Sequence, residues 1–335
     1  MHEIPLMLAA IVVVALAFDF TNGAHDSANA IATVVSTKVL PPRVAVLMAA
    51  GLNLLGAFLG TKVAETVGGG IVAPDVVAGC TILVMAALLG AIAWNIITWC
   101  LGIPSSSSHA LVGGIIGSAI AYHGWATPNY PSIFQKVIVP LLLSPLAGFA
   151  MGYLLMVLLS WIFVKAHPHS VNTLFKRLQI ISAAFMATSH GLNDAQKTMG
   201  VITLALVIFK IQPGVAVPFW VKIACATTMG LGTATGGWKI IKTMGHKIFK
   251  IEPVHGFAAE TSAAGIIVGA SLFGAPISTT HVISTAVIGV GSAKRLSAVR
   301  WQVARNLVIA WILTIPASAC LAALSFMALE LAGLR

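Results

Sequence analysis

"GIPSSSSH", at Gly102–His109, places four hydroxyl side chains and a histidine between two strongly apolar runs, Thr81–Trp99 and Ala110–Ala121. Further along, Gly274–His281 reads "GAPISTTH". In each stretch a Gly-x-Pro step precedes the hydroxyls. Pro104 and Pro276 lack an N–H and suit the first turn of a helix, and a following Ser or Thr can cap that turn. The two stretches therefore predict helices that begin within Ser105–Ser108 and Ile277–Thr280. A helix start leaves N–H groups unpaired and carries partial positive charge, and hydroxyls add further donors. Two such tips facing each other would enclose a small tetrahedral oxyanion. Close helix packing by small residues explains one such run, but not a matched pair.

A second pair of motifs accompanies the first. "NGAHDSANA" at Asn22–Ala30 aligns with "HGLNDAQKT" at His190–Thr198 at an offset of 168, and the hydroxyl runs align at an offset of 172. Two motifs in the same order, offset by about half of 335 residues, indicate an internal duplication. The solvent of this duplicated unit follows from composition. The chain is 58% hydrophobic and 8% charged, where a soluble domain carries about 25% charged residues. Apolar runs of about 20 residues recur along it, and the ~10-residue alternation of a β-barrel is absent. The expectation is an all-α polytopic membrane protein of about ten helical segments with broken or re-entrant half-helices. The segments are predicted at 4–37, 43–62, 76–101, 105–122, 133–164, 178–209, 215–238, 254–273, 278–292 and 299–331.

Each half holds five segments, an odd number, so the second half enters the membrane the other way up. Inverted-topology repeats are characteristic of secondary transporters, with the substrate at the repeat interface near mid-bilayer. The predicted division is a first repeat over 1–164, a basic cytoplasmic linker over 165–177 and a second repeat over 178–335.

Charge sets the orientation. The net charge is +10, but the basic residues sit in short loops, which points to membrane topology and not to nucleic acid. Thirteen of the 19 Lys and Arg fall in alternate loops around Lys38, Lys165–Arg177, Lys239–Lys250 and Lys294–Arg305. That side is predicted to be cytoplasmic, leaving both termini outside the plasma or inner membrane. "MHEIP" lacks a cationic signal region, so the first apolar run reads as a retained helix. Cys80, Cys100, Cys225 and Cys320 are isolated in apolar segments and read as packing residues.

Only nine acids occur, and two of them, Asp26 and Asp194, hold matching places in the repeat. A charge at the membrane centre costs at least about 2.5–3.5 kcal/mol and usually marks an ion path. Asn22, Asn29 and Asn193 lie nearby in sequence, and a carboxylate with neutral oxygens suits Na⁺ or a proton relay. Asp26 and Asp194 are thus candidate Na⁺ ligands. Lys197 stands where the first half has Asn29, placed to pair with Asp194 or to touch the anion. Glu260, flanked by alanines in an apolar segment, is a candidate coupling residue or a buried structural partner.

Other features carry plainer readings. His109 and His281 read as core histidines, and the His167-Pro168-His169 triplet as a solvated loop. GxxxG pairs at Gly56/Gly60, Gly113/Gly117, Gly148/Gly152 and Gly265/Gly269 read as close helix packing that permits a homodimer. No resident cofactor is expected. A hydrolase using Ser107 or Ser108 with a histidine lacks a GxSxG elbow and leaves the duplication unexplained; an uncoupled anion channel is a further alternative.

"GAHDSANAIATVVST", "GIPSSSSHALVGG", "SHGLNDAQKTMGVI" and "GAPISTTHVIS" together resemble the four signature regions of the Pit-type inorganic phosphate transporter family, and "GLGTATGGWKIIKTMG" resembles its short prokaryotic members. The resemblance spans most of the chain. It implies phosphate uptake coupled to Na⁺ or H⁺ across the bilayer. It also implies inverted repeats, with phosphate held by Ser106, Ser107, Ser108, Ser278, Thr279 and Thr280 and with Asp26, Asn29 and Asp194 at the transport site. The chain departs from many sodium-coupled relatives at Asn53, where they carry an acid, and at Lys197, where they carry a second Asn. Those departures turn the expectation towards H⁺, with a neutral metal–phosphate complex as another form of cargo. A few relatives move sulfate instead, so a sulfate permease of the same fold is the alternative.

Overall fold

The computed structural model describes residues 3–70 and 80–334. The start of the predicted 76–101 segment and Arg335 lie outside the described residues. Regular structure among the described residues is helical throughout. The first half comprises α1 (Glu3–Ser36), α2 (Pro42–Gly56), α3 (Lys62–Gly70), α4 (Ile82–Leu101), α5 (Ser107–His123) and α6 (Val139–Ile162). The second comprises α7 (Pro168–Ile208), α8 (Phe219–Thr235), α9 (Pro253–Leu272), α10 (Thr279–Lys294) and α11 (Trp301–Leu331). Short π-helical turns lead into α6 (Phe134–Ile138) and towards α9 (Thr243–Lys247).

α1, α4, α6 and α11 are each long and apolar enough to cross a membrane. Their outer faces are greasy: Leu142, Leu146 and Leu154 on α6 and Ile312, Leu313 and Leu324 on α11 are exposed. In water such a surface would aggregate; in lipid it is solvated. The interior reverses the soluble pattern. Asp19, Asn22, Asp26, Asn29 and Thr33 repeat every three or four residues along one face of α1, and all are buried. Gln179, Ser182, His190, Asp194 and Lys197 form the same kind of stripe on α7. A helix carrying a polar stripe in lipid turns it inward against other polar groups, since the bilayer offers none. α7 has 41 residues, about 60 Å of helix against a hydrocarbon core of about 30 Å, so it extends beyond the bilayer or tilts.

Two boundaries differ from expectation. The predicted 43–62 segment ends early, at Gly56, and after a gap flanked by Gly56 and Gly60 a helix that was not predicted, α3, follows. The stretch read as a linker is mostly helix, because α7 already begins at Pro168 with His167 as its N-cap; His167 Nδ1 accepts from His169 N–H at 3.3 Å. The His-Pro-His triplet is thus a helix start, with proline where its missing N–H costs nothing.

The halves interlock. α6 packs on α10 and α11 packs on α5; α1 packs on α8 and α7 on α2. Gly148 and Gly152 let α6 approach the α10 backbone at Val282 and Ala286, and Gly113 and Gly117 do so for α5 against Ile315 and Ala319 of α11. Gly56 likewise abuts the Thr188 carbonyl, but nothing lies within 4 Å of the Cβ positions of Gly265 and Gly269. The last GxxxG pair therefore makes no close helix contact among the described residues.

Candidate functional site

The two Gly-x-Pro stretches do start helices. Gly102 and Gly274 take left-handed φ values of 68° and 70°, which glycine adopts without a Cβ clash, and end the preceding helices. Ser106 and Ser278 are the N-caps: each Oγ accepts a backbone N–H, from His109 and His281 respectively, at 3.2 Å. α5 has 17 residues and α10 has 16, about 25 Å each, and both begin among fully buried residues. The tips touch. Ser108 Oγ donates to Ile277 O at 3.3 Å, and the His109 and His281 rings lie edge-on with centroids 4.4 Å apart.

The acidic motifs meet at these tips. Ser107 Oγ lies 2.5 Å from Asn22 Oδ1 and 2.9 Å from Asp26 Oδ2. Thr279 Oγ1, its counterpart at an offset of 172, donates to Asp194 Oδ2 at 3.0 Å. Thr280 Oγ1 reaches across to Asp26 Oδ1 at 3.3 Å. Asn29 Nδ2 donates to Thr280 Oγ1 at 2.9 Å and Thr279 Oγ1 at 3.3 Å. Lys197 Nζ donates to Asp194 Oδ1, to Ser108 Oγ at 2.5 Å and to Ile277 O at 3.0 Å. So Asp26, Asn29, Asn22, Asp194, Lys197, Ser107, Ser108, Thr279 and Thr280 converge, with Ser106 and Ser278 holding the backbone beneath them.

Two expected members stand apart. Asn193 donates to Ser271 Oγ on α9 at 2.8 Å, not to the carboxylate beside it in sequence. Glu260 is fully buried, but its carboxylate accepts from Thr33, Ser182 and, at 3.2 Å, Gln179 Nε2. That pocket lies two turns along α1 from Asp26. Asn29 also differs from expectation: its amide nitrogen makes the hydrogen bonds at the site, while its Oδ1 is buried without a partner among the described residues.

Other participants were not singled out from sequence. His25 Nδ1 lies 2.7 Å from Asp26 Oδ1, and its Nε2 contacts Thr98 Oγ1 at 3.1 Å and Ser105 Oγ at 3.3 Å. His190 Nε2 is 3.1 Å from Asp194 Oδ2, without hydrogen-bond alignment. Both sit inside the repeated motifs, and the i,i+4 spacing of His190 and Asp194 was the available signal. Trp311 of α11 stacks on His281 at 4.0 Å and donates to Pro104 O at 3.1 Å, tying the two tips together. Nothing in its sequence context announced that role.

Chemically, the site offers two carboxylates, an ammonium, four hydroxyls and two helix N-termini. Donor atoms of Asp26, His190 and Asp194 lie within 4.8 Å of one another. Carboxylate and hydroxyl oxygens suit a hard cation, and a neutral imidazole extends the set to a divalent ion. Ser107 and Ser108 pair with carboxylate, amide, ammonium and carbonyl groups; neither is paired with a histidine as a hydrolase nucleophile would be.

Comparison with known proteins agrees with the geometry. Residues 22–322 match the phosphate transporter family. A Bacillus subtilis protein described as "Probable low-affinity inorganic phosphate transporter" is 49% identical over 98% of this chain and 99% of its own length. A Rhizobium meliloti protein of the same description is 47% identical over 97% of each. A solved structure, "The sodium-dependent phosphate transporter", superposes with a TM-score of 0.88 at 25% identity, covering 97% of this chain and 99% of that one. These relatives are transporters and not enzymes. The chain is an integral membrane protein that belongs to the phosphate transporter family.

Proposed function

We propose that the chain imports inorganic phosphate by cation symport, exposing the site between the α5 and α10 tips to each side in turn. Ser106, Ser107, Ser108, Ser278, Thr279 and Thr280 take the phosphate. Asp26, Asn29, Asn22, Asp194 and Lys197 form the cation and coupling side of that site, and Asn193 and Glu260 act on coupling from beside it. The observation that carries this reading is the meeting of two matched, hydroxyl-capped helix starts at two buried carboxylates. Hydroxyls that now donate to Asp26 and Asp194 can rotate to donate to an anion. The P–OH of HPO₄²⁻ can in turn donate to a carboxylate, which sulfate cannot do, and a buried acceptor left unpaired rejects the wrong anion strongly.

Moving a dianion inward against about 100 mV costs roughly 4.6 kcal/mol, at about 2.3 per charge. Two monovalent cations or one divalent metal cancel that term. H⁺, Na⁺ and a neutral metal–phosphate complex all meet the requirement, and the sodium dependence named for the solved relative supports Na⁺ as one candidate. Alternation proceeds by rocking of one inverted repeat (residues 1–164) against the other (178–335), a reading supported by the matched motifs of the two halves. The basic loops support an orientation with both termini outside the plasma or inner membrane.

The test is labelled-phosphate uptake into proteoliposomes, with arsenate and sulfate as competitors and with Na⁺, pH and Mg²⁺ varied in turn. The expected result is accumulation above equilibrium that follows one cation gradient, competed by arsenate and not by sulfate. Sulfate accumulation, or anion movement that never exceeds equilibrium, overturns it.

A further inference from the structure

The two halves of the site agree in their hydroxyls and their acids, and differ at the residue three positions after each acid. Asn29 and Lys197 occupy the same place at an offset of 168, and both reach to the opposite half. Asn29 Nδ2 meets Thr280 Oγ1 at 2.9 Å, and Lys197 Nζ meets Ser108 Oγ at 2.5 Å; Ser108 and Thr280 are themselves a matched pair. Lys197 is 2% exposed. Its ammonium spends its three N–H groups on a carboxylate, a hydroxyl and a main-chain carbonyl, from Asp194, Ser108 and Ile277. One anionic and two neutral oxygens, gathered from α7, α5 and the turn before α10, are the donor types that hold a small hard cation. The ammonium stands at their centre.

Asp26, in the matching place, receives no ammonium among the described residues. Its oxygens take the hydroxyls of Ser107 and Thr280 and a nitrogen of His25.

We propose that Lys197 is a tethered cation filling one of two matched cation subsites, so that each phosphate crosses with one mobile cation fewer than an amide-bearing site would carry. This rests on the symport reading above. The mobile cation belongs to the Asp26 half. The fixed charge stays with the protein on the return step, which relieves the empty carrier of one uncompensated carboxylate.

The experiment compares wild type, Lys197→Asn and Lys197→Met in proteoliposomes, measuring phosphate uptake against Na⁺ below saturation. Lys197→Asn removes the ammonium and sets an amide oxygen beside the vacated Asp194, Ser108 and Ile277 oxygens, and should raise the Na⁺ reaction order by about one. A tenfold rise in Na⁺ then increases its uptake by about ten times more than it does in wild type. Lys197→Met offers neither charge nor oxygen and should gain no such dependence. A second arm needs no transport: in detergent, Na⁺ should raise the Tm of Lys197→Asn more steeply with concentration than that of wild type. If Lys197→Asn assembles poorly, Lys197→Gln carries the same measurements. Equal Na⁺ order in variant and wild type in both arms overturns the proposal. Failure of wild type to move phosphate with any cation overturns the symport reading instead, and the detergent arm still decides this one.

Discussion

Asp26 and Asp194 have each other as counterparts, whereas Glu260 has none: the offset that maps α4 onto α9 sets it opposite Leu88. All three acids are buried. The paired acids lie where the two helix tips meet, are bonded by hydroxyls from those tips, and are built from both halves. Glu260, on α9, is held by α1 through Thr33 and by α7 through Gln179 and Ser182. In the proposed alternating-access cycle, a device present twice serves a site that opens to both faces of the membrane.

The largest expected effect separates the two paired acids from one another. Asp194→Asn strands the Lys197 ammonium in a dry interior, and breaking a buried ion pair costs about 3–5 kcal/mol. That variant should lose stability and yield, read as a fall in Tm in detergent. Asp26→Asn strands no charge and should fold while losing uptake. Equal stability losses in both variants would show that the ammonium does not depend on Asp194. A middle-sized effect tests the pairing itself. Ser107→Ala and Thr279→Val each remove one hydroxyl from a carboxylate, worth about 1.5–3 kcal/mol or roughly ten- to a hundredfold in phosphate kcat/KM. The two losses should match, and a large loss on one side only would break the symmetry argument. The smallest effect belongs to the unpaired acid. Glu260→Gln should lower kcat by about tenfold, the scale of one group's positioning or proton role, with phosphate KM unchanged. A rise in KM would place Glu260 at the substrate.

Much of this was legible in the chain. The repeated motifs, the apolar segments and the Gly-x-Pro caps led directly to the helices and to their meeting point, because each rests on local chemistry: proline's missing N–H, a serine cap, a lipid-length apolar run. Where prediction departed from structure, a long-range contact decided the outcome. Asn193 turned to Ser271 because α9 packs there, and Trp311 joined the site because α11 lies over α5. The break between α2 and α3 falls where Gly56 abuts the Thr188 carbonyl of α7, a neighbour more than a hundred residues away. The four GxxxG pairs read alike in sequence, yet Gly265 and Gly269 face open space. A small-residue motif records that close approach is allowed, not that a partner is present.

The interlocking of α6 with α10 and of α5 with α11 has a consequence for biosynthesis. The glycines of α6 meet their seat near Val282 only after roughly 130 more residues have left the ribosome, which at about 5–20 residues per second is on the order of ten seconds. Throughout that delay the acids of α1 wait in the bilayer without the threonines that will cover them. The nascent first half is therefore a natural client for an insertase or membrane chaperone until its twin arrives.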